Sequence, residues 1–212
     1  MSADVPAPAT SKAKLGILLS GRGSNFLAIA DNIDRGKLPR AEIAVVISNK
    51  AHAPGVAAAR ERGLPTFVVE SNGRSREEHD AEMISLLKQH DVSLVCLAGY
   101  MRLLSKEFVR AFPQRILNIH PSLLPAFPGL DAQRQAVEYG VKISGCTVHF
   151  VDEELDHGVI ILQKSVPVTA EDDEATLSAR ILDLEHVAYS HAISLVLAQT
   201  HVVRGRRYMP KS

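Results

Sequence analysis

The chain has 212 residues, 46% of them hydrophobic, and a formal net charge of zero at pH 7. That apolar share supplies a real core for one large domain or two small ones. The neutral balance leaves no electrostatic footprint for nucleic acid or an anionic membrane surface, so neither is an expected partner.

Residues 1–12 are rich in Ala, Pro and Ser and read as a disordered tail, which leaves 13–212 as a single domain. Met1–Thr10 holds no apolar stretch of signal-peptide type, and no run reads as long enough to span a bilayer. Cys96 and Cys146 each sit inside an apolar run without a nearby cysteine, as buried thiols of a reducing compartment do. A cytoplasmic location is expected.

From Leu15 onward strands and helices alternate. Leu15–Leu19 is a buried strand. Ser24–Asp34 carries Phe26, Leu27, Ile29, Ala30 and Ile33 at helical spacing. Ile43–Ile47 and Thr66–Val69 are further strands, separated by an Ala-rich helix over 54–62 that Gly63 stops. Ser75-Arg76-Glu77-Glu78 has the form of a capping box and opens a helix to about His90. Ser93–Ala98 and Ile116–Ile119 are the fourth and fifth strands, with a short helix around Phe108 and Phe112 between them. Asp131–Tyr139 is helical.

Thr147–Val151 and Val159–Val166 are β-branched runs with no helix between them, so they pair antiparallel. A helix over 173–199 follows, and Arg204-Gly205-Arg206-Arg207 reads as a solvated terminus. The alternation predicts an α/β fold. Its sheet is Rossmann-like, mostly parallel and twisted, with helices on both faces and an antiparallel C-terminal strand pair.

Three segments map to the carboxyl edge of that sheet, where such folds bind ligands. Ser20-Gly21-Arg22-Gly23-Ser24-Asn25 joins the first strand to the first helix. Small residues there admit close backbone approach, and the free N–H groups of a helix start suit a phosphate. The loop is not a dinucleotide fingerprint, since Phe26 takes the place of the third glycine and no acid ends the second strand. No Gly-Lys-Ser/Thr follows, which excludes a Walker loop; standing alone, it reads equally as a tight turn. Gly99-Tyr100-Met101-Arg102 follows the fourth strand.

The third segment is Asn118-Ile119-His120-Pro121. Asn118 and His120 are spaced i, i+2, so both project from one face of an extended segment. An amide donor beside an imidazole suits the oxyanion formed when a nucleophile attacks a carbonyl, and the imidazole can pass on a proton. Asp152-Glu153-Glu154-Leu155-Asp156-His157-Gly158 adds carboxylates, although standing alone it reads first as a polar hairpin loop. HExxH, paired CxxC and EF-hand spacings are all absent, so no metal is expected.

Four motifs recur together in one family. They are Ser20–Asn25, Leu97-Ala98-Gly99-Tyr100-Met101-Arg102-Leu103-Leu104, Asn118-Ile119-His120-Pro121-Ser122-Leu123-Leu124-Pro125 and Leu155-Asp156-His157-Gly158. In them the chain resembles the phosphoribosylglycinamide formyltransferases over about residues 14–200. The resemblance implies the formyltransferase fold and formyl transfer from 10-formyltetrahydrofolate to the glycinamide amine, in purine biosynthesis. It implies Asn118, His120 and Asp156 as the catalytic set, the first two for the oxyanion and Asp156 for the amine proton. Gly23, Ser24 and Asn25 would bind the substrate phosphate, and Glu185 its ribose. Arg76, Met101, Arg102, Leu103 and Leu104, with Asn118 and the segment Val151, Asp152, Glu153 to Asp156, would line the folate pocket. A cis bond before Pro125 is also implied.

At this length the expected domain has room for neither the C-terminal barrel of methionyl-tRNA formyltransferases nor the N-terminal domain of formyltetrahydrofolate deformylases. Its oligomeric state would be monomer or homodimer. A hydrolase using water as acceptor, or a catalytically silent folate- and phosphate-binding module, is the alternative. Two positions depart from the family pattern: Gln133, where relatives often carry His, and His157, where they carry a small residue.

Overall fold

The structure, a computed structural model, describes residues 11–211. Of the expected tail 1–12, only Ser11 and Lys12 lie among them.

Strands β1 (Ala13–Leu19), β2 (Ala41–Ser48), β3 (Thr66–Val68), β4 (Leu94–Leu97), β5 (Ile116–His120), β6 (Ile143–Phe150) and β7 (Ile160–Pro167) form one sheet in the order β3-β2-β1-β4-β5-β6-β7. The pairs from β3 to β5 are parallel, while β5–β6 and β6–β7 are antiparallel. This is the mixed, mostly parallel sheet that the alternation of elements predicts.

Helices α1 (Ser24–Asp34), α2 (Pro54–Glu61), α3 (Arg76–Gln89), α4 (Lys106–Ala111), α5 (Ala132–Tyr139) and α6 (Glu174–Ala198) cover both faces. Two cores result. Phe26 and Ile29 of α1, Val56 of α2, Ala136 of α5 and Ile181 and Tyr189 of α6 pack on one face; Met83 and Leu87 of α3 and Phe108 of α4 pack on the other. Helix starts follow local chemistry. Ser75 Oγ accepts from Glu78 N and Glu78 Oε2 from Ser75 N, so the box that the sequence suggests does cap α3. Asp173 caps α6 in the same way with Thr176.

Two differences from the sequence reading stand out. The 25-residue α6 is long and apolar enough, by length and composition, to cross a membrane, against the expectation of no such run. Its buried side chains Leu177, Ile181, Ala188, Tyr189, Ala192 and Ile193 instead pack against the sheet, which accounts for the apolar composition. Arg204–Arg207 is no loose terminus. It is the tip of a hairpin of β8 (His201–Arg204) and β9 (Arg207–Pro210), docked where Tyr208 packs edge-on against Phe150 at 5.7 Å.

Candidate active site

Strand order reverses between β1 and β4, and the loops leaving these strands are tied together at that switch point. Ser20 N donates to Gly99 O at 3.0 Å and Met101 N to Ser20 Oγ at 2.8 Å. Ser20 Oγ in turn donates to Asn49 Oδ1 at 2.6 Å. A crevice at the carboxyl ends of the strands is where doubly wound sheets hold ligands.

Gly23 opens α1 in the left-handed conformation, with φ 76°. A Cβ on it would lie 3.1 Å from Gly55 Cα, so glycine is required both by φ and by the close backbone. No side chain caps α1. Its first N–H groups are therefore open to an anion at the positive end of the helix dipole. Beside them Asn25 Nδ2 donates to Glu185 Oε2 at 2.8 Å, while the buried Asn25 Oδ1 has no partner among the described residues. Burial raises the Glu185 carboxyl to about 7 against the opposing pull of the Asn25 amide. Asn25 and Glu185, 160 residues apart in sequence, thus meet beside the helix start at Gly23 and Ser24.

The second group lies on β5 and β6. Leu117, Ile119, Val148 and Phe150 turn into the α1/α6 core, so Asn118, His120 and His149 at the alternate positions project to the other face. Asn118 sits directly opposite His149 in the ladder, with Nδ2 3.2 Å from His149 Nε2. The ring of His149 has one consistent tautomer: Nδ1–H donates to Phe150 O at 2.8 Å, leaving Nε2 to accept from the Asn118 amide. Burial, joined by the nearby His120, lowers the His149 pKa despite Phe150 O and Asp156. Neutral His149 therefore fixes which way the Asn118 amide faces and leaves its second N–H free.

His120 Nε2 lies 2.8 Å from Phe127 O, and its Nδ1 is 3.3 Å from Asp156 Oδ2. Phe127 O is an acceptor, so Nε2 carries a proton, while Nδ1 and Asp156 meet at ion-pair distance. Asp156 Oδ2 also accepts from Gly129 N at 2.8 Å, and Oδ1 is 3.7 Å from His149 Nε2. The carboxylate is almost fully shielded, with 8% side-chain exposure, in surroundings where charge–charge attraction is strong.

Asp156 reaches this point by an unusual route. Because β6 is antiparallel, it ends beside the start of β5, where Val151 N donates to Ile116 O at 2.9 Å. The acidic loop must then fold back roughly 13 Å along β5 to meet His120. Asp156 takes a left-handed φ of 50° in that course.

The other folate-pocket candidates are spread around the group. Met101 and Leu103 are exposed at 67% and 51%, apolar side chains held at the surface beside the switch point. Arg102 Nε is buried without a partner among the described residues, and Leu104 is half-buried. Asp152 and Glu153 flank the loop, with Glu153 held by Lys106 and Arg110. Arg76 lies exposed in the first turn of α3, outside the hydrogen-bonded cluster. The Leu124–Pro125 bond is cis, as the resemblance implies. Thr147 and Gln163 hold that loop: Leu124 N donates to Thr147 Oγ1, and Gln163 Nε2 to both Leu124 O and Thr147 Oγ1. Gln133 lies in the first turn of α5.

His149 and Thr147 escape the sequence reading. Their signal is faint: polar side chains on alternate positions of an otherwise apolar β run, whose meaning depends on pairing with β5.

An α/β sheet with an uncapped helix start at its switch point, and an Asn-His-Asp group on the neighbouring β5–β6 pair, carries the groups that transfer at a carbonyl requires. Residues 13–193 match the formyl transferase family. The chain is 45% identical over 179 residues to the phosphoribosylglycinamide formyltransferase of Escherichia coli K12, covering 84% of each chain. It superposes on the crystal structure of glycinamide ribonucleotide transformylase 1 from Symbiobacterium toebii with a TM-score of 0.92, at 48% identity over 95% of both chains. Against the trifunctional purine biosynthetic protein adenosine-3 of Drosophila melanogaster it is 45% identical over 90% of its own length, but spans 14% of that protein. The chain belongs to the formyl transferase family.

Proposed function

We propose that this protein is a phosphoribosylglycinamide formyltransferase. It moves the formyl group of 10-formyltetrahydrofolate to the amine of 5'-phosphoribosylglycinamide, a step of purine biosynthesis. The observation that carries the reading is the cluster of Asn118, His120 and Asp156, in a chain that also opens α1 without a side-chain cap. Kinship with proteins of that name supports the choice of substrates.

The acceptor amine attacks the formyl carbon and its electron pair forms the new C–N bond, while the carbonyl π electrons move to oxygen. The free N–H of Asn118 donates to that oxyanion, and a protonated His120 beside it stabilises the charge. Asp156 takes a proton from the now cationic amine, directly or through a water. The oxyanion collapses, the bond to the folate nitrogen breaks, and that nitrogen gains a proton from His120. Gly23, Ser24 and Asn25 hold the acceptor phosphate at the α1 N-terminus, with Glu185 on its ribose. Arg76, the segment Met101–Leu104 and the loop 151–156 hold the folate. The enzyme works in the cytoplasm, as a monomer or homodimer.

Release of tetrahydrofolate from the formyl donor, measured with and without glycinamide ribonucleotide, tests this reading. Acceptor-dependent release is expected. Equal release without the acceptor would identify a formyltetrahydrofolate hydrolase, and no release a binding module.

A further inference from the structure

The loop that brings Asp156 to His120 starts at the wrong end of β5 and places its aspartate at a positive φ, an arrangement that the surroundings must enforce. One side of the loop is fixed by Gly158, where a Cβ would lie 1.7 Å from Phe150 O. The other side meets the hairpin tip. Arg206 Nη2 donates to the main-chain carbonyl of His157, the residue that follows Asp156. Its Nη1 lies 2.8 Å from His157 Nε2. It also lies 3.3 Å from His157 Nδ1, so the guanidinium sits over the ring, and Nδ1 is 3.0 Å from the Asp152 Oδ2 acceptor, to which it donates its proton. Asp152 Oδ1 accepts from Glu154 N at 3.0 Å, closing a chain from the hairpin to the root of the loop.

The hairpin is itself seated, by Tyr208 against Phe150 and by Val203 and Tyr208 against the α1/α6 core. Its strands lie beyond residue 193, where the match to the formyl transferase family ends. His157 stands where the resemblance leads one to expect a small residue, and it is the side chain that Arg206 engages.

We propose that Arg206 is a positioning residue for Asp156: the C-terminal hairpin straps the acidic loop through His157 and holds the carboxylate against His120. Arg206 touches no reacting atom. It narrows the range of positions that Asp156 samples, which affects proton transfer more than binding of either substrate. The inference rests on the role given to Asp156 above.

The test compares Arg206→Ala, Arg206→Lys, His157→Ala and the double variant His157→Ala/Arg206→Ala with wild type, and uses Asp156→Asn as control. Arg206 is exposed, so its removal leaves the melting temperature nearly unchanged. Arg206→Ala is expected to lower kcat about fivefold, about 1 kcal/mol in the barrier, with both KM values within twofold. Arg206→Lys recovers part of the loss. The double variant is no worse than Arg206→Ala, since both changes cut one chain. A kcat within twofold of wild type, or a loss shared equally with both KM values, overturns the proposal. If Asp156→Asn stays active, the site reading itself fails; if it is inactive while Arg206→Ala is normal, only the strap fails.

Discussion

Asn118 and His149 face each other across the β5–β6 ladder, amide nitrogen to ring nitrogen, at 3.2 Å. Because His149 donates its only proton to Phe150 O, the pair has a single polarity. His149→Ala frees the Asn118 amide to rotate. It should lower kcat about tenfold or more with little change in acceptor KM, the scale of a misaligned donor. Steady-state kinetics over both substrates checks this, and an unchanged kcat would show that Asn118 is held by other means.

The Asn-His-Asp group should behave as a unit. His120→Ala or Asp156→Asn is expected to lower kcat at least about a hundredfold, the scale of a lost oxyanion donor or general base. Acceptor affinity, measured by calorimetry, should move far less. Near-normal turnover in either variant would remove that residue from the mechanism.

Gly23→Val tests the anion cleft. The new side chain meets both a φ of 76° and Gly55 Cα, so the α1 N-terminus is distorted. Acceptor KM should rise at least about tenfold, the loss of about one charge-assisted hydrogen bond, while folate affinity holds. Parallel loss of both affinities would refute separate subsites.

Glu185 gives a stability prediction with a definite sign. Its carboxyl is raised from 4.5 to about 7 by burial, so between those values the folded state holds more protons than the unfolded one. Stability from this group is present below about pH 4.5 and is lost as pH rises through about 7, on the order of 3 kcal/mol in all. Glu185→Gln removes the charge but keeps an acceptor for Asn25. The melting temperature of the variant should therefore gain on wild type between pH 5 and pH 8. A constant difference across that range would mean that Glu185 ionises freely in its cleft.

Burial raises both thiols, Cys96 and Cys146, to about 12. A thiol reagent at pH 8 should label neither in the native protein and both after denaturation. Rapid native labelling would contradict the packing of β4 and β6.

Much of the fold was legible because its signals are local. The Ser24–Asp34 helix follows from apolar spacing, and the α3 start from the Ser75–Glu78 box. The carboxyl-edge loops at Ser20, Gly99 and Asn118 follow from strand–helix alternation. What stayed hidden depends on pairings distant in sequence. His149 means little until β6 is set against β5. The hairpin at 201–210 has strands of only four residues each, too short to show a period, and its seat on Phe150 is a tertiary contact, so its Arg-rich turn reads as a solvated end. Arg206 could not be tied to His157 by any spacing rule.

The antiparallel seam between β5 and β6 makes this protein brittle toward one kind of change and tolerant of another. In a ladder, insertion of a single residue upstream of His149 would turn that ring into the α1/α6 core and present Val148 or Phe150 to Asn118 instead. Only a β-bulge absorbs such an extra residue, and the β6–β7 register already shifts once, between Val148 and His149. Evolution can therefore lengthen the exposed turn around Glu171 far more freely than it can add one residue between Ile143 and His149.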